Sequence, residues 1–208
     1  MDWNTYLGLF VAYQGFHQTI LNMDWNTYLG LFDEILDKRL TEAPYDKEEY
    51  WNYVRMNKAR TMRWLKQNPI SEASMKAIKS IDTPQKWILI TEPWCGDAAH
   101  STPIVYLLSE LNPNIELEIV LRDSSDLIDS YLTNGGKSIP KLVVRDQNGN
   151  DLFDWGPRPE EAQTIVMDMK NKEEPYEAVH KVIQNWYNKN ESTLIQEELN
   201  ELFSGVKV

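Results

Sequence analysis

Cys95 is the one cysteine in this 208-residue chain, and it stands in Thr91-Glu92-Pro93-Trp94-Cys95-Gly96-Asp97-Ala98. A short apolar run, Trp87 to Ile90, leads into that segment, and a helical pattern from about Ala98 to Leu111 leads out of it. A sulfur at such a junction lies at a helix N-terminus. Unpaired N–H groups and the positive dipole end favour the thiolate there. Asp97 opposes this through its charge, and it also occupies a helix-capping position. An exposed carboxylate is screened, so the helix is expected to win and leave a thiol pKa nearer 7, with Asp97→Asn lowering it further. His100 is five residues on, about 140° around an ideal helix, which argues against direct pairing with the sulfur. Cys95, Asp97 and His100 match no zinc spacing, so no metal and no cofactor are expected. Gly135-Gly136-Lys137-Ser138 fails as a phosphate loop, because position 131 is Tyr and Pro140 opens a strand instead of a helix. Those glycines instead suit a tight turn before Ile139-Pro140.

The elements that must hold these residues follow from periodicity. Strands are expected at 87–91, 115–121, 141–145 and 151–155, with helices at 97–111 and 124–132 between the first three. Gln147-Asn148-Gly149-Asn150 makes the last two strands a hairpin. Helices follow over about 159–188, broken or kinked near Pro175, and over 192–203. Upstream, Trp25, Tyr28, Leu29, Phe32, Ile35, Leu36 and Leu40 form a helical stripe. Pro44 ends that helix, and Asp46 with Glu49 suits the cap of a second one reaching Gln67. Asn68-Pro69 stops it before a third at 71–81. The reading is an α/β fold with a mixed β-α-β-α-β-β-α core, a helical N-terminal extension over 23–82, and C-terminal helices completing 83–208.

Trp94-Cys95-Gly96 at the head of a helix, facing Ile139-Pro140 before a strand, resembles the thioredoxin superfamily. The stretches Thr91–Ser101 and Gly135–Pro140 are similar to bacterial thioredoxin-like proteins that carry Trp-Cys-Gly-Asp instead of Trp-Cys-Gly-Pro-Cys. The resemblance covers roughly residues 84–170. It implies a thioredoxin-like fold, a cis Ile139-Pro140 bond beside the sulfur, and Cys95 as the attacking thiol. Ala98 stands where the second cysteine would resolve the mixed disulfide, and Leu89 stands where a buried acid would move protons. Within one chain, dithiol chemistry is therefore excluded. A monothiol route remains, in which glutathione or another external thiol resolves. On that reading Cys95, Asp97 and Pro140 carry the chemistry, and Trp94, Gly96 and Ile139 meet the substrate. The basic run Arg55, Lys58, Arg60, Arg63 and Lys66 either complements its helix's C-terminal dipole or lays a cationic face near Cys95, with Arg60 and Arg63 holding substrate carboxylates. Arg158, in the rigid turn Trp155–Pro159, is a further candidate for anion contact. The implied partner is a thiol or disulfide protein, or a low-molecular-weight thiol. The competing reading is a redox-inactive thioredoxin-fold module that binds a protein or ligand, with Cys95 a vestige.

Composition bounds these readings. Lys plus Arg total 21 against 32 Asp plus Glu, a net charge of −11, which argues against nucleic acid and acidic membranes as partners. No apolar run is long enough to span a bilayer, the first residues lack a basic secretory start, and a lone cysteine fits a reducing cytoplasm. Residues 1–10 recur unchanged at 23–32. The second copy continues the apolar stripe, whereas Gln14, Gly15 and His17 break the first. Met23 is therefore the expected functional start, and residues 1–22 an expected dispensable duplication.

Overall fold

A computed structural model describes residues 22–38 and 43–205, Lys38 by its backbone alone. Residues 1–21, and with them the expectation of a dispensable arm, lie outside the described residues, as does Leu40.

The chain's most apolar strand forms the centre of the sheet. β1 (Gln85–Thr91) is buried along nearly its whole length. It pairs in parallel with β2 (Ile115–Leu121) and antiparallel with β3 (Lys141–Asp146). β3 continues through a hairpin into β4 (Asp151–Trp155), giving the order β2-β1-β3-β4. Asp146 builds the hairpin turn by accepting from the Asn148 and Asn150 amides through Oδ1, at 2.8 and 2.9 Å. Alternate β1 residues serve two cores. Trp87 and Leu89 enter the larger one, while Ile88 and Ile90 join Cys95, Ala98, Val120, Ile128, Ile139 and Val143 in a smaller one. This alternation places the sulfur against one face of the sheet.

Seven α-helices are present among the described residues: α1 (Trp25–Lys38), α2 (Glu48–Gln67), α3 (Glu72–Lys79), α4 (Ala98–Ser109), α5 (Glu160–Asn171), α6 (Tyr176–Asn190) and α7 (Thr193–Gly205). The break at Pro175 falls where the sequence puts it. The expected helix over 124–132 is instead one 3₁₀ segment, Asp126–Ser130. Ser125 accepts from the Leu127 amide, and only Ile128 of the segment is buried, so Ser and Asp side chains satisfy the backbone locally and no apolar face demands a longer helix. α2 begins after Lys47 without a side-chain cap, so the expected Asp46–Glu49 pairing is not made; the helix ends on the left-handed Asn68. α4 is buried on almost every side, as its mostly apolar sequence requires.

The helices before β1 share the larger core. Trp25, Tyr28, Phe32 and Ile35 of α1, Val54 and Trp64 of α2, and Ile78 of α3 cluster with Trp87 and Leu89. Trp25 stacks on Tyr106 of α4 with ring centres 4.5 Å apart. Met23 adds an antiparallel bridge to the β2 edge, exchanging both backbone hydrogen bonds with Ile119 at 3.0 and 2.8 Å. At the other end of the chain, Phe203 of α7 stacks on Trp87.

Candidate functional site

Cys95 sits in the loop between β1 and α4, its amide bonded to the Glu92 carbonyl at 3.0 Å. Its thiol donates to the Ile139 carbonyl at 3.3 Å, and Ile139-Pro140 is cis. Cys95, Ile139 and Pro140 are thus brought together. Cys95, Trp94, Gly96, Asp97 and Ile139 line one cleft of ≈ 730 Å³.

Two helices outside the β-α-β-α-β-β-α core roof this loop. From α2, Asn57 is fully buried and donates to the Pro93 carbonyl at 3.0 Å, while Tyr50 meets Trp94 edge-on at 5.6 Å. From α6, Tyr187 donates to Asp97 Oδ1 at 3.0 Å. A Cβ on Gly96 would lie 3.2 Å from both His180 Nε2 and Gln184 Nε2, so the missing side chain lets α6 press onto the motif. His100 does not reach the sulfur. Its Nδ1 accepts from Trp64 Nε1 at 3.1 Å, so its proton sits on Nε2, 2.8 Å from Gln184 Oε1. The ring stacks on Tyr187 at 4.4 Å. Burial lowers the His100 pKa to about 4, and the imidazole is neutral.

This roof reverses the expected thiol chemistry. Cys95 is only 7 % exposed. Burial pushes its pKa up to about 12 and the Asp97 carboxylate adds to the rise; the Ala98 and Asp97 amides and Arg158 oppose it and lose. The expectation of a pKa nearer 7 is therefore corrected. Helix-terminal N–H groups do act on the sulfur, but desolvation of a buried thiolate outweighs them.

Asp97 is not a helix cap, since its side chain makes no capping bond. Its carboxylate instead accepts from Arg158 Nη2 at 2.6 Å and from Tyr187, while Arg158 Nη1 donates to Gln163 at 2.7 Å. The ion pair is largely covered, with side chains 18 % and 14 % exposed. Arg158→Ala should therefore cost about 2 kcal/mol of stability in urea unfolding, by leaving a mostly buried carboxylate with one hydroxyl partner. Adding Asp97→Asn should recover part of that loss; equal losses in the single and double variants would show that the pair contributes no coupling.

Arg60 and Arg63, expected near the sulfur, do not line its cleft. Arg60 donates to Asn57 at 2.8 Å, behind the motif. Arg63 lies over Trp64, donates to Asn188, and lines a separate cleft between α2 and the C-terminal helices. The rest of the basic run is also engaged locally: Arg55 with Asn52 and Lys58 with Asp33. The cations on the Cys95 cleft are Lys47, Arg122, Lys137, Arg158 and Lys170. Arg122 packs over the Trp94 ring at 4.8 Å while gripping Asp123 with two nitrogens. Glu92 was also missed. It is 6 % exposed beneath the loop, and burial, with Asp123 adding, raises its pKa from 4.5 to about 7. A charged residue beside a Pro-Trp-Cys run gives no sequence signal of burial.

A four-stranded mixed sheet with a cysteine between β1 and the following helix, facing a cis-proline loop, defines a thioredoxin-type protein with a single thiol. The chain belongs to the thioredoxin family: the match to the family described as Thioredoxin spans residues 43–171, beginning before α2 and so including two of the helices ahead of β1. Among solved structures, a protein of unknown function from Pseudomonas aeruginosa is similar at 15 % identity and a TM-score of 0.55, over 90 % of this chain and 95 % of that one. An HIV epitope-scaffold is similar at 16 % identity and a TM-score of 0.53, over the same shares of both chains. At these identities the likeness concerns fold alone. Comparison with curated proteins gives no match. Among the described residues, no helix is long and apolar enough to cross a membrane, and no cluster of His, Cys, Asp and Glu could hold a metal ion.

Proposed function

We propose that this chain is a thioredoxin-fold binding module whose cysteine is held as a structural thiol. The observation that carries this reading is the state of Cys95: roofed by α2 and α6, donating its S–H to Ile139, and 7 % exposed. Resolution within the chain has no second thiol to use, since Ala98 occupies that place. The Asp97–Arg158–Tyr187 network ties the motif to α6 and keeps the cleft wall fixed. Iodoacetamide modification should be slow at neutral pH, with no inflection below about pH 10, and Cys95→Ser should leave the unfolding midpoint within a few degrees of wild type. An inflection near pH 7 would overturn this reading.

A second reading is favoured by the Asp97 and Ala98 amides, which act on the sulfur as they would on a thiolate. In monothiol exchange, the Cys95 thiolate attacks the sulfur of a protein–glutathione mixed disulfide and releases the protein thiolate. Reduced glutathione then attacks the Cys95–glutathione disulfide, restoring Cys95 and releasing glutathione disulfide. Trapping of a stable mixed disulfide on Cys95 in a cell lysate, read by mass spectrometry, would support this route over the first.

A further inference from the structure

We infer that the Cys95 cleft binds a small planar aromatic anion, its ring among Tyr50, Tyr53, Trp94, Tyr176 and His180 and its negative group on Lys47 and Lys170. The inference rests on the binding-module reading and names the class of ligand.

The rings form a continuous chain contributed by three elements. Trp94 of the loop meets Tyr50 of α2 at 5.6 Å, and Tyr50 meets Tyr53 at 6.3 Å. Tyr53 meets His180 of α6 at 5.8 Å, and His180 lies near-parallel to Tyr176 at 6.0 Å and 19°. All five line the one cleft. Ordinary core packing does not account for the arrangement, because Tyr176 is 67 % exposed and only Trp94 of the five packs against a hydrophobic core cluster. Flat faces turned toward a cleft offer offset and edge-on contacts to an incoming ring. The volume, ≈ 730 Å³, falls in the range of small-molecule sites.

Charge sets the sign of the ligand. The whole chain carries 32 acids against 21 bases. The cleft wall reverses that balance, with five Lys and Arg against Glu49, Asp97 and Glu174. Three of those cations are already paired: Arg158 with Asp97, Lys137 with Asp129, and Arg122 with Asp123. Lys47 and Lys170 make no ion pair among the described residues. They belong to different elements, the start of α2 and the end of α5, so the sheet fold alone does not bring them to one wall. A carboxylate or sulfonate on an aromatic ring would satisfy both features of that wall.

The test uses the Cys95→Ser protein, so that thiol chemistry makes no contribution, and two dyes with the same rings. 8-Anilinonaphthalene-1-sulfonate carries the negative group, and N-phenyl-1-naphthylamine lacks it. Fluorescence titration should give one sulfonate site per chain, binding at least about fivefold tighter than the neutral dye. Lys47→Gln with Lys170→Gln should weaken the sulfonate about tenfold and leave the neutral dye unchanged. Tyr176→Ala, at an exposed position that does not endanger folding, should weaken both dyes about fivefold. Equal affinity for the two dyes, or sulfonate binding insensitive to these variants at unchanged melting temperature, overturns the assignment. Such a result leaves the thiol data standing, whereas a reactive Cys95 would sink the binding-module reading without altering these titrations.

Discussion

Gly156→Ala should lower stability by about 3–5 kcal/mol, roughly 10 °C in melting temperature for a chain of this length. Gly156 has φ +111°, a conformation side chains rarely adopt, and a Cβ there would sit 2.3 Å from the Pro140 carbonyl oxygen. The obstructing atom is backbone, so it cannot swing away as a flexible side chain would. Pro140 is also held from the other side. Lys141 is buried, and its ammonium reaches the Gly156 carbonyl at 2.9 Å and Asp154 at 2.8 Å, fastening this loop to the start of β3. Gly149→Ala is the control. Gly149 has φ +84° with nothing within 4 Å of a new Cβ, so only the conformational cost of about 1 kcal/mol should appear. The difference between the variants isolates the collision. Because Ile139 accepts the Cys95 thiol, displacement of this loop should also speed alkylation of Cys95 in whatever Gly156→Ala protein folds. Losses equal to those of Gly149→Ala would mean that the loop yields freely.

The parts of this structure that were legible in the sequence are those governed by local pattern. Trp87–Ile90 reads as a buried strand because it is apolar and bounded, and Gln147–Asn150 reads as a turn because Asn and Gly carry turn chemistry. Ile139-Pro140 could be placed beside Cys95 only through the family resemblance. The thiol was misread because the argument stopped at the helix that follows it. The dominant contribution to its pKa is burial under α2 and α6, whose Asn57 and His180 stand 38 residues before and 85 residues after Cys95 in the chain. Asp97 was misread for the same reason. A carboxylate in a first turn resembles a cap, and nothing local announces a partner at Arg158, 61 residues on. The basic run on α2 failed differently: a helical-wheel arc says which residues share a face but not what lies opposite, and Asp33, Asn57 and Asn188 engage those cations.

Glu92→Gln should stabilise the protein at pH 8 by about 2–3 kcal/mol and expose an acid-side loss that the wild type conceals. The folded protein raises the Glu92 pKa from 4.5 to about 7, chiefly by burial and then by Asp123. That stability is fully present below pH 4.5 and is lost as pH rises through about 7. His100 works in the opposite sense. Burial lowers its pKa from 6.5 to about 4, against the Gln184 hydrogen bond that raises it. Its contribution is present above pH 6.5 and is lost as pH falls through about 4. Each shift corresponds to about 3 kcal/mol at most. Between pH 4.5 and 6.5 a falling pH therefore gains on Glu92 what it loses on His100, and these two contributions leave the wild-type curve nearly flat. Glutamine keeps the shape of the protonated acid but cannot ionise, so in Glu92→Gln only the histidine slope remains and stability should fall steadily from pH 6.5 to 4. His100→Gln should show the mirror image, with stability rising as pH falls from about 7 to 4.5. Urea midpoints at half-unit pH steps for the three proteins decide between these curves. A Glu92→Gln profile parallel to wild type would mean that the Glu92 carboxylate ionises in the folded protein as readily as in water, and that the ground beneath the Cys95 loop is wetter than its burial implies.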